Sequence, residues 1–391
     1  MSDPGVRRLC IVSHVVHYRH GGRIYAYAPY AREIEVWADL FPEVRIAAPC
    51  EDAPPPGDAA PIDRDNVEVD PQPRAGGDSL GAKLKQILLL PWMAASMAGA
   101  LRKADAVHVR CPGNLGLLGA VLAPLFSRRR IAKYAGQWPD WEGEARTVRL
   151  QKAILRSRWW RAPVTVYGSW PGQPPWIVPF FTSVLDRKQI ERARRAAVAR
   201  KPTDRPRVLF VGRLSKAKNV DVLLDALNGL PCTVVGDGPE RAALEARAPQ
   251  AVFAGAVDFD RVLDFYESHD ILVLASETEG WPKAIVEAMA FGLVCIGSDR
   301  GLIPQILGEG RGMVVPPRNV EALAAALRRA SDPAEAEAMR SRAAAFGQRY
   351  SLEDLKEALR EVMAKWWKTS PPGPLSRFPP GPLPGEGEAP D

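Results

Sequence analysis

Four short stretches of this 391-residue chain carry side chains whose types and spacing could do chemistry. In "SETEGWPKAIVEAMAFG", Ser276 to Gly292, a helix is expected from Pro282, which suits a first helical position where no amide proton is needed. The helix is apolar nearly all round and so should be buried, yet Glu287 lies in its middle and Glu279 just before its start. Amides at Lys283 and Ala284 at such a helix start favour an anion, and hydroxyl donors would satisfy Glu287. For an isolated buried glutamate, a pair with Arg or Lys is the default alternative. In "VLFVGRLSKAKNVDVLLDAL" a strand ends at Gly212, and Arg213, Lys216 and Lys218 precede a helix starting near Asn219. Cations beside a helix start suit a diphosphate, and a solvated basic loop is the bland alternative.

Two further stretches are weaker. In "VVGDGPERAAL", Gly236 and Gly238 flank Asp237, and a simple turn is the preferred reading. In "HVVHYRHGGRIYAYAPY", Gly21-Gly22 makes a flexible connection with His14, His17 and His20 around it. No Cys or carboxylate completes a metal-ligand set there, so a cleft-lining loop with the histidines as polar contacts is expected, and no metal, with satisfied surface histidines as the alternative. Neither a dinucleotide fingerprint nor a P-loop is present.

The elements that must position these residues alternate between short β-rich runs and helical patterns, which argues for α/β with parallel sheets. Strands are expected at 8–13, 44–49, 106–110, 130–136 and 164–168, then at 207–212, 233–238, 252–255, 271–276, 293–298 and 312–317. Helical patterns fall near 30–41, 79–102, 113–126 and 147–160, and throughout 319–368. Ser351 can cap the last helix with Asp354 at its third position. The Pro- and Asp-rich segment "PCEDAPPPGDAAPIDRDN" reads as a loop. Two similar halves imply two Rossmann-like domains facing each other across a cleft. The boundaries expected are an N-terminal acceptor domain at 1–183, a basic linker at 184–206 broken by the Pro202–Pro206 stretch, and a donor domain at 207–349. A C-terminal helix at 350–368 returns toward the first domain, and a Pro/Gly-rich tail at 369–391 is expected to be disordered.

Composition adds bounds. The net charge of +6 is too weak alone to argue for nucleic acid, and suits anionic small molecules or an anionic membrane. Cys10, Cys50, Cys111, Cys232 and Cys295 are scattered and never form C-x-x-C, so a reducing cytosol fits best. No signal peptide is seen. The longest uncharged run, "QILLLPWMAASMAGAL", falls short of the ~20 residues a spanning helix needs and is expected to be a buried or surface-docked helix. The Arg- and Trp-bearing runs "RRR" at 128–130, "LRSRWWRAPV" and "ERARRAAVARK" suit a membrane interface, with solvated faces as the alternative.

Together these features resemble the GT-B glycosyltransferases, specifically family 4, the retaining nucleotide-sugar transferases. "GRLSKAKN" looks like that family's G-R-L-x-x-x-K-[GN] loop, "EGWPKAIVE" matches its E-x7-E motif, and "GDGPE" and "FAGAV" fall where it has its G-x-G-P-x and base segments. The N-terminal half matches in outline, through Gly21-Gly22 and "DAVHVRCP".

The resemblance implies that Arg213 and Lys218 hold the donor diphosphate, Glu287 the ribose hydroxyls and Glu279 the donor sugar. The amides around Gly280–Lys283, the stretch that holds Trp281 and Pro282, would serve diphosphate and sugar. Gly21, Gly22, Gly212 and Gly238 would lie beside the nucleotide sugar, with Ala256 and Val257 flanking its base. No cofactor or metal is implied beyond a UDP-, GDP- or ADP-sugar donor, because Arg213 and Lys218 replace a divalent cation. A glycan or lipid-linked acceptor and work in the cytoplasm, at the inner face of the membrane, are the corresponding expectations, with no nucleic acid partner. Where many relatives carry H-x-H, this chain has "HVRCPGN" with His108 and Arg110. Arg110 could polarise a sugar oxygen or a phosphate but cannot act as a base. A GT-B epimerase, a phosphorylase or a non-catalytic nucleotide-binding protein are the alternative functions.

Overall fold

The computed structural model describes residues 6–74, 80–141, 143–201, 203 and 205–367, with only the backbone of 80–87. The chain divides into two packed units, one holding residues up to Phe181 and those from Leu355, the other Thr182 to Asp354. The expected tail at 369–391, and Pro202, lie outside the described residues.

The first unit holds β1 (Arg8–Val12), β2 (His17–His20), β3 (Arg23–Tyr27), β4 (Glu43–Ala48), β5 (Cys50–Glu51), β6 (Ala59–Pro61), β7 (Val67–Pro71), β8 (Ala106–Cys111), β9 (Arg130–Tyr134), β10 (Val164–Tyr167) and β11 (Ile177–Phe180). Seven of them form one parallel sheet in the order β11-β10-β9-β8-β1-β4-β7. Its central strands are largely buried runs rich in Val, Ile, Ala and Leu, as a sheet covered on both faces requires. From β7 the chain steps through β8, β9 and β10 in one direction. Right-handed crossovers therefore put the helices Leu80–Arg102, Asn114–Phe126 and Arg146–Arg156 on one face. The step from β1 to β4 runs the other way, so the helix Ala28–Ala38 covers the opposite face.

The remaining strands make a small sheet in the order β5-β2-β3-β6. Here two expectations change. Gly21 and Gly22, with φ of 57° and 74°, form the two-residue turn of an antiparallel hairpin in which His20 faces Arg23, not a flexible loop. The Pro- and Asp-rich segment, read as a loop, contributes β5 and β6.

The second unit holds β12 (Val208–Val211), β13 (Cys232–Val235), β14 (Val252–Gly255), β15 (Ile271–Leu274), β16 (Val294–Ser298) and β17 (Met313–Val315) in one parallel sheet ordered β14-β13-β12-β15-β16-β17. The basic segment at 184–206 contains the helix Arg187–Ala199, started by a reciprocal Asp186–Gln189 cap. This helix packs within the second unit, where Arg192 pairs with Asp264 at 2.7 Å and Glu267 at 2.7 Å. The helical stretch near the C-terminus is three helices, Val320–Ala330, Pro333–Gly347 and Leu352–Trp366. Ser351 caps the last as expected, its Oγ accepting from the Asp354 amide at 3.1 Å while Asp354 accepts from the Ser351 amide at 3.1 Å. From Leu355 that helix belongs to the first unit, where Lys356 pairs with Asp39 at 2.8 Å and the Trp367 indole donates to the Arg130 carbonyl at 3.3 Å.

Candidate functional site

In an open parallel sheet ligands bind beyond the carboxyl ends of the strands. In the second unit the motif residues gather there, on loops following the neighbouring strands β13, β12 and β15. After β12 the chain passes Gly212 and an exposed Arg213, tucks Leu214 into the core, and makes a short 3-10 turn at Lys216–Lys218. After β15 it passes Glu279, Gly280 and Trp281. The Lys218 ammonium donates to the Glu279 carboxylate at 2.5 Å, with the two side chains 25% and 12% exposed. The pair is therefore formed but reachable by solvent. Arg213 makes no ion pair or hydrogen bond through its side chain among the described residues, and its guanidinium is available to an anion.

Asn219 and Gly301, which the motif reading left without a role, build this arrangement together with Gly236 and Gly238. Asn219 takes a left-handed conformation, φ 48°, and is buried. Its amide donates to the Ala275 carbonyl at 2.8 Å and to Glu277 at 3.0 Å, stapling the β12 loop to the β15 loop. Asparagine tolerates this backbone better than most residues, and its place in "GRLSKAKN" is the signal that pointed to it. Gly301 has φ 57°, and a Cβ there would stand 1.9 Å from the Glu279 carbonyl oxygen, so only glycine lets the backbone carrying Glu279 sit as it does. Gly236 and Gly238 act alike: a Cβ on Gly236 would stand 1.9 Å from the Gly212 oxygen, and one on Gly238 2.2 Å from the Leu214 oxygen. The close approach these glycines permit is between two loop backbones, those after β12 and β13.

The helix expected from Pro282 runs Lys283–Ala290, with Pro282 as the residue before its first turn. Glu287 is buried, 7% exposed. Tyr266, fully buried, donates its hydroxyl to Glu287 at 2.8 Å. Burial, and then the neighbouring Glu287, raise the Tyr266 phenol well above its ordinary value, so it remains a donor. Glu287, Lys283, Trp281 and Tyr350 line a small pocket with residues 182–185. Val257 is half-buried in the short link between β14 and the helix Phe259–Ser268, whose first turn Asp258 caps at 2.8 Å.

The first-unit candidates are not gathered in this way. His108 and Arg110, two residues apart on β8, point to the face covered by the helix Ala28–Ala38. His108 is 1% exposed and stacks on Trp37 with centroids 4.5 Å apart. Burial pushes its imidazole down to about 3, so it is neutral, and it does not present itself to a ligand. Arg110 is drawn into a buried cluster: its register partner across the ladder is Lys133, and both donate to one oxygen of Glu33, at 3.0 and 2.9 Å. Burial alone would raise the Glu33 carboxyl. Lys133 and Arg110 outweigh it and hold the group far below the ordinary carboxylate range. Gly21 and Gly22 sit at the exposed hairpin tip, with no described atom within 4 Å of where a Cβ would stand. The three histidines around them do not act together. His17 is fully buried against Tyr30, ring centroids 5.4 Å apart, with its imidazole pushed down to about 4 by burial, whereas His14 and His20 are exposed. The preferred reading of all three as polar contacts is corrected for His17.

Against known proteins, residues 191–346 match the family model described as "Glycosyl transferases group 1". By sequence the chain is similar to a GDP-mannose-dependent alpha-mannosyltransferase of Mycobacterium tuberculosis (strain CDC 1551 / Oshkosh), 30% identical over 227 residues, 54% of this chain and 60% of that protein. The chain thus spans less than two thirds of this relative's length, and two others are matched over 33% and 32% of theirs. By structure it is similar to a sucrose-phosphate synthase from Thermosynechococcus elongatus (TM-score 0.66, 19% identity, 92% of this chain and 98% of that one). It is also similar to Anabaena HepE solved in complex with UDP (TM-score 0.65, 16% identity, 92% and 99%). The fold is GT-B, two Rossmann-like domains built on open parallel sheets, and the chain carries a group 1 glycosyltransferase domain.

Proposed function

We propose that this chain, carrying a group 1 glycosyltransferase domain, moves a hexosyl group from a nucleotide-diphosphate sugar to a glycan or lipid-linked acceptor with retention of configuration. The observation that carries the reading is the Lys218–Glu279 pair beside the unpaired, exposed Arg213 at the carboxyl ends of β12 and β15. Two cations within one loop can take the charge that develops on a departing diphosphate, worth several kcal/mol when donors are pre-positioned. Glu279 then serves two ends: it holds Lys218 in place and presents its other oxygen to sugar hydroxyls. Glu287, with one oxygen fixed by Tyr266, would accept from the ribose. The Lys283 amide, expected to be free for an anion, instead donates to the Trp281 carbonyl at 2.9 Å, so the Ala284 amide would be the one offered at this helix start.

Retention follows, in this proposal, from attack on the face the diphosphate leaves, the departing phosphate oxygen taking the acceptor's proton. The acceptor C–O bond forms as the anomeric C–O bond to phosphate breaks, and no protein base is required. The neutral, buried His108 and the Glu33-bound Arg110 are consistent with that, since neither is placed to remove a proton. Names among the relatives support a nucleotide-sugar donor: one uses GDP-mannose and one neighbouring structure holds UDP. The test is a transfer and hydrolysis assay over UDP-, GDP-, ADP- and dTDP-sugars in EDTA. Turnover from one base, unchanged by EDTA, is expected. Loss in EDTA with rescue by magnesium would contradict the metal-independent route, and no turnover from any donor would leave the non-catalytic binding protein as the better reading.

A further inference from the structure

The first unit carries an exposed apolar surface that the donor chemistry does not use. It stands on the layer formed by the helices Leu80–Arg102, Asn114–Phe126 and Arg146–Arg156, which the crossovers place side by side on one sheet face. The inner sides of these helices fill the core, through Met93, Met97, Ala120, Ala123 and Leu155. Their outer sides are not uniformly polar, although the third helix also exposes Arg146 and Arg149. Leu88 is 72% exposed and Trp92 59% on the first helix, and Leu125 is 62% exposed on the second. Trp159, just past the third helix, is 47% exposed and donates its indole to the Val121 carbonyl at 3.1 Å, joining the third helix's end to the second helix. Scattered exposed apolar residues are ordinary, but large ones on three adjacent helices of one layer mark an interaction surface.

The charge around this surface selects the partner. Residues 86–102, 113–130 and 145–161 contain ten Lys or Arg and no Asp or Glu. Several of the basic residues are occupied inside the unit. Lys152 is buried against Glu144, and Arg130 donates to the Trp160 carbonyl at 3.0 Å. Arg128, Arg158 and Arg161 are exposed and make no ion pair among the described residues. The basic segment 191–201 belongs to the second unit, where Arg192 is paired with Asp264 and Glu267. Among the described residues no helix is long and apolar enough to cross a membrane, so such a surface would lie on a bilayer rather than in it.

We propose that this helical layer docks on an anionic lipid surface, with Leu88, Trp92, Leu125 and Trp159 entering the interface and Arg128, Arg158 and Arg161 facing the headgroups. The match is that of an interfacial element, aromatic and aliphatic side chains with unpaired cations beside them. The inference is independent of the donor-site reading, and its readout is binding, not transfer.

The test is co-sedimentation of the full chain with phosphatidylcholine vesicles and with vesicles of equal parts phosphatidylcholine and phosphatidylglycerol. Binding to the anionic vesicles only is expected, weakening as salt rises. Trp92→Ser with Leu125→Ser should lower the partition coefficient about tenfold or more, and so should Arg158→Gln with Arg161→Gln. Unchanged melting temperatures would show that the variants fold. As a second probe, Arg192→Gln, in the paired second-unit helix, should leave vesicle binding unchanged. Wild-type protein remaining in the supernatant at low salt would overturn the proposal, as would equal binding to neutral vesicles or indifference to the two double variants. A wild-type dimer in sedimentation velocity that Trp92→Ser converts to monomer would assign the face to a second copy of the chain instead.

Discussion

Two charge clusters sit at the carboxyl ends of strands in the two parallel sheets, and they differ in whether they are closed. In the first unit, Glu33 receives Arg110 and Lys133 with the Glu33 and Lys133 side chains only 4% and 6% exposed. In the second, Lys218 meets Glu279 where solvent reaches both, and the Arg213 side chain has no partner among the described residues. The first cluster is held by its own members and stabilises the unit that contains it. The second is half-built, with hydrogen-bonding capacity in excess of what the protein supplies. The same residue types therefore do different work, decided by burial and by which charges are already matched.

Glu33→Ala should have the largest effect. It leaves two buried cations without their carboxylate, and breaking a buried pair in this way costs about 3–5 kcal/mol. Urea denaturation of the purified variant checks this, and a loss under about 1 kcal/mol would place the cluster on the exposed side of the comparison.

Acid should act next, and on the first unit. His17 and His108 are buried neutral, with folded pKa values pushed down to about 4 and about 3. For a depressed histidine the unfolded chain binds the proton first. The stabilisation is complete above the unfolded value near 6.5 and is lost progressively as pH falls toward the folded value. Between pH 7 and pH 5 each should cost about 2 kcal/mol. Urea midpoints across that range would show it, and a flat profile would mean that the two rings are hydrated.

Arg213→Ala separates function from stability. Its side chain is exposed and unpaired, so the melting temperature should hardly move, while turnover should fall about 10²–10³-fold through lost stabilisation of the leaving diphosphate. Kinetics and melting measured on one preparation decide this, and equal turnover in the variant would remove Arg213 from the site.

Tyr266→Phe should have the smallest effect, about 1.5–3 kcal/mol of stability through the lost donor to the Glu287 carboxylate. An unchanged melting temperature would show Glu287 to be satisfied without it.

Much of this was legible in the sequence, and the misses have physical reasons. The central strands of both sheets were readable because residues buried on both faces make unbroken apolar runs, as in "VLFV" at Val208–Val211. β11 was not read because Pro179 interrupts it, which a strand at the sheet edge tolerates. The hairpin β2–β3 was hidden because its residues, "HYRH" and "RIYAY", lack the apolar alternation of a half-buried strand. In the second unit the loops carrying Lys218 and Glu279 meet, because short loops after adjacent parallel strands have little freedom to diverge. In the first unit the alternation along β8 set His108 and Arg110 on one face. Nothing in the local sequence said that Glu33, 77 residues away, would occupy Arg110. The hydrogen bond from Tyr266 to Glu287 is likewise a contact between elements.

The most direct measurement is thermal stabilisation by UDP, GDP, ADP and dTDP and their sugars in EDTA, comparing wild type with Lys218→Ala. If the open pair in the second unit is the donor site, one base should stabilise the wild type by about 2.7 kcal/mol at a hundred times its dissociation constant. Lys218→Ala should lose that response. Equal stabilisation of both proteins, or no response of the wild type to any nucleotide, would contradict the assignment of this pair to the donor diphosphate.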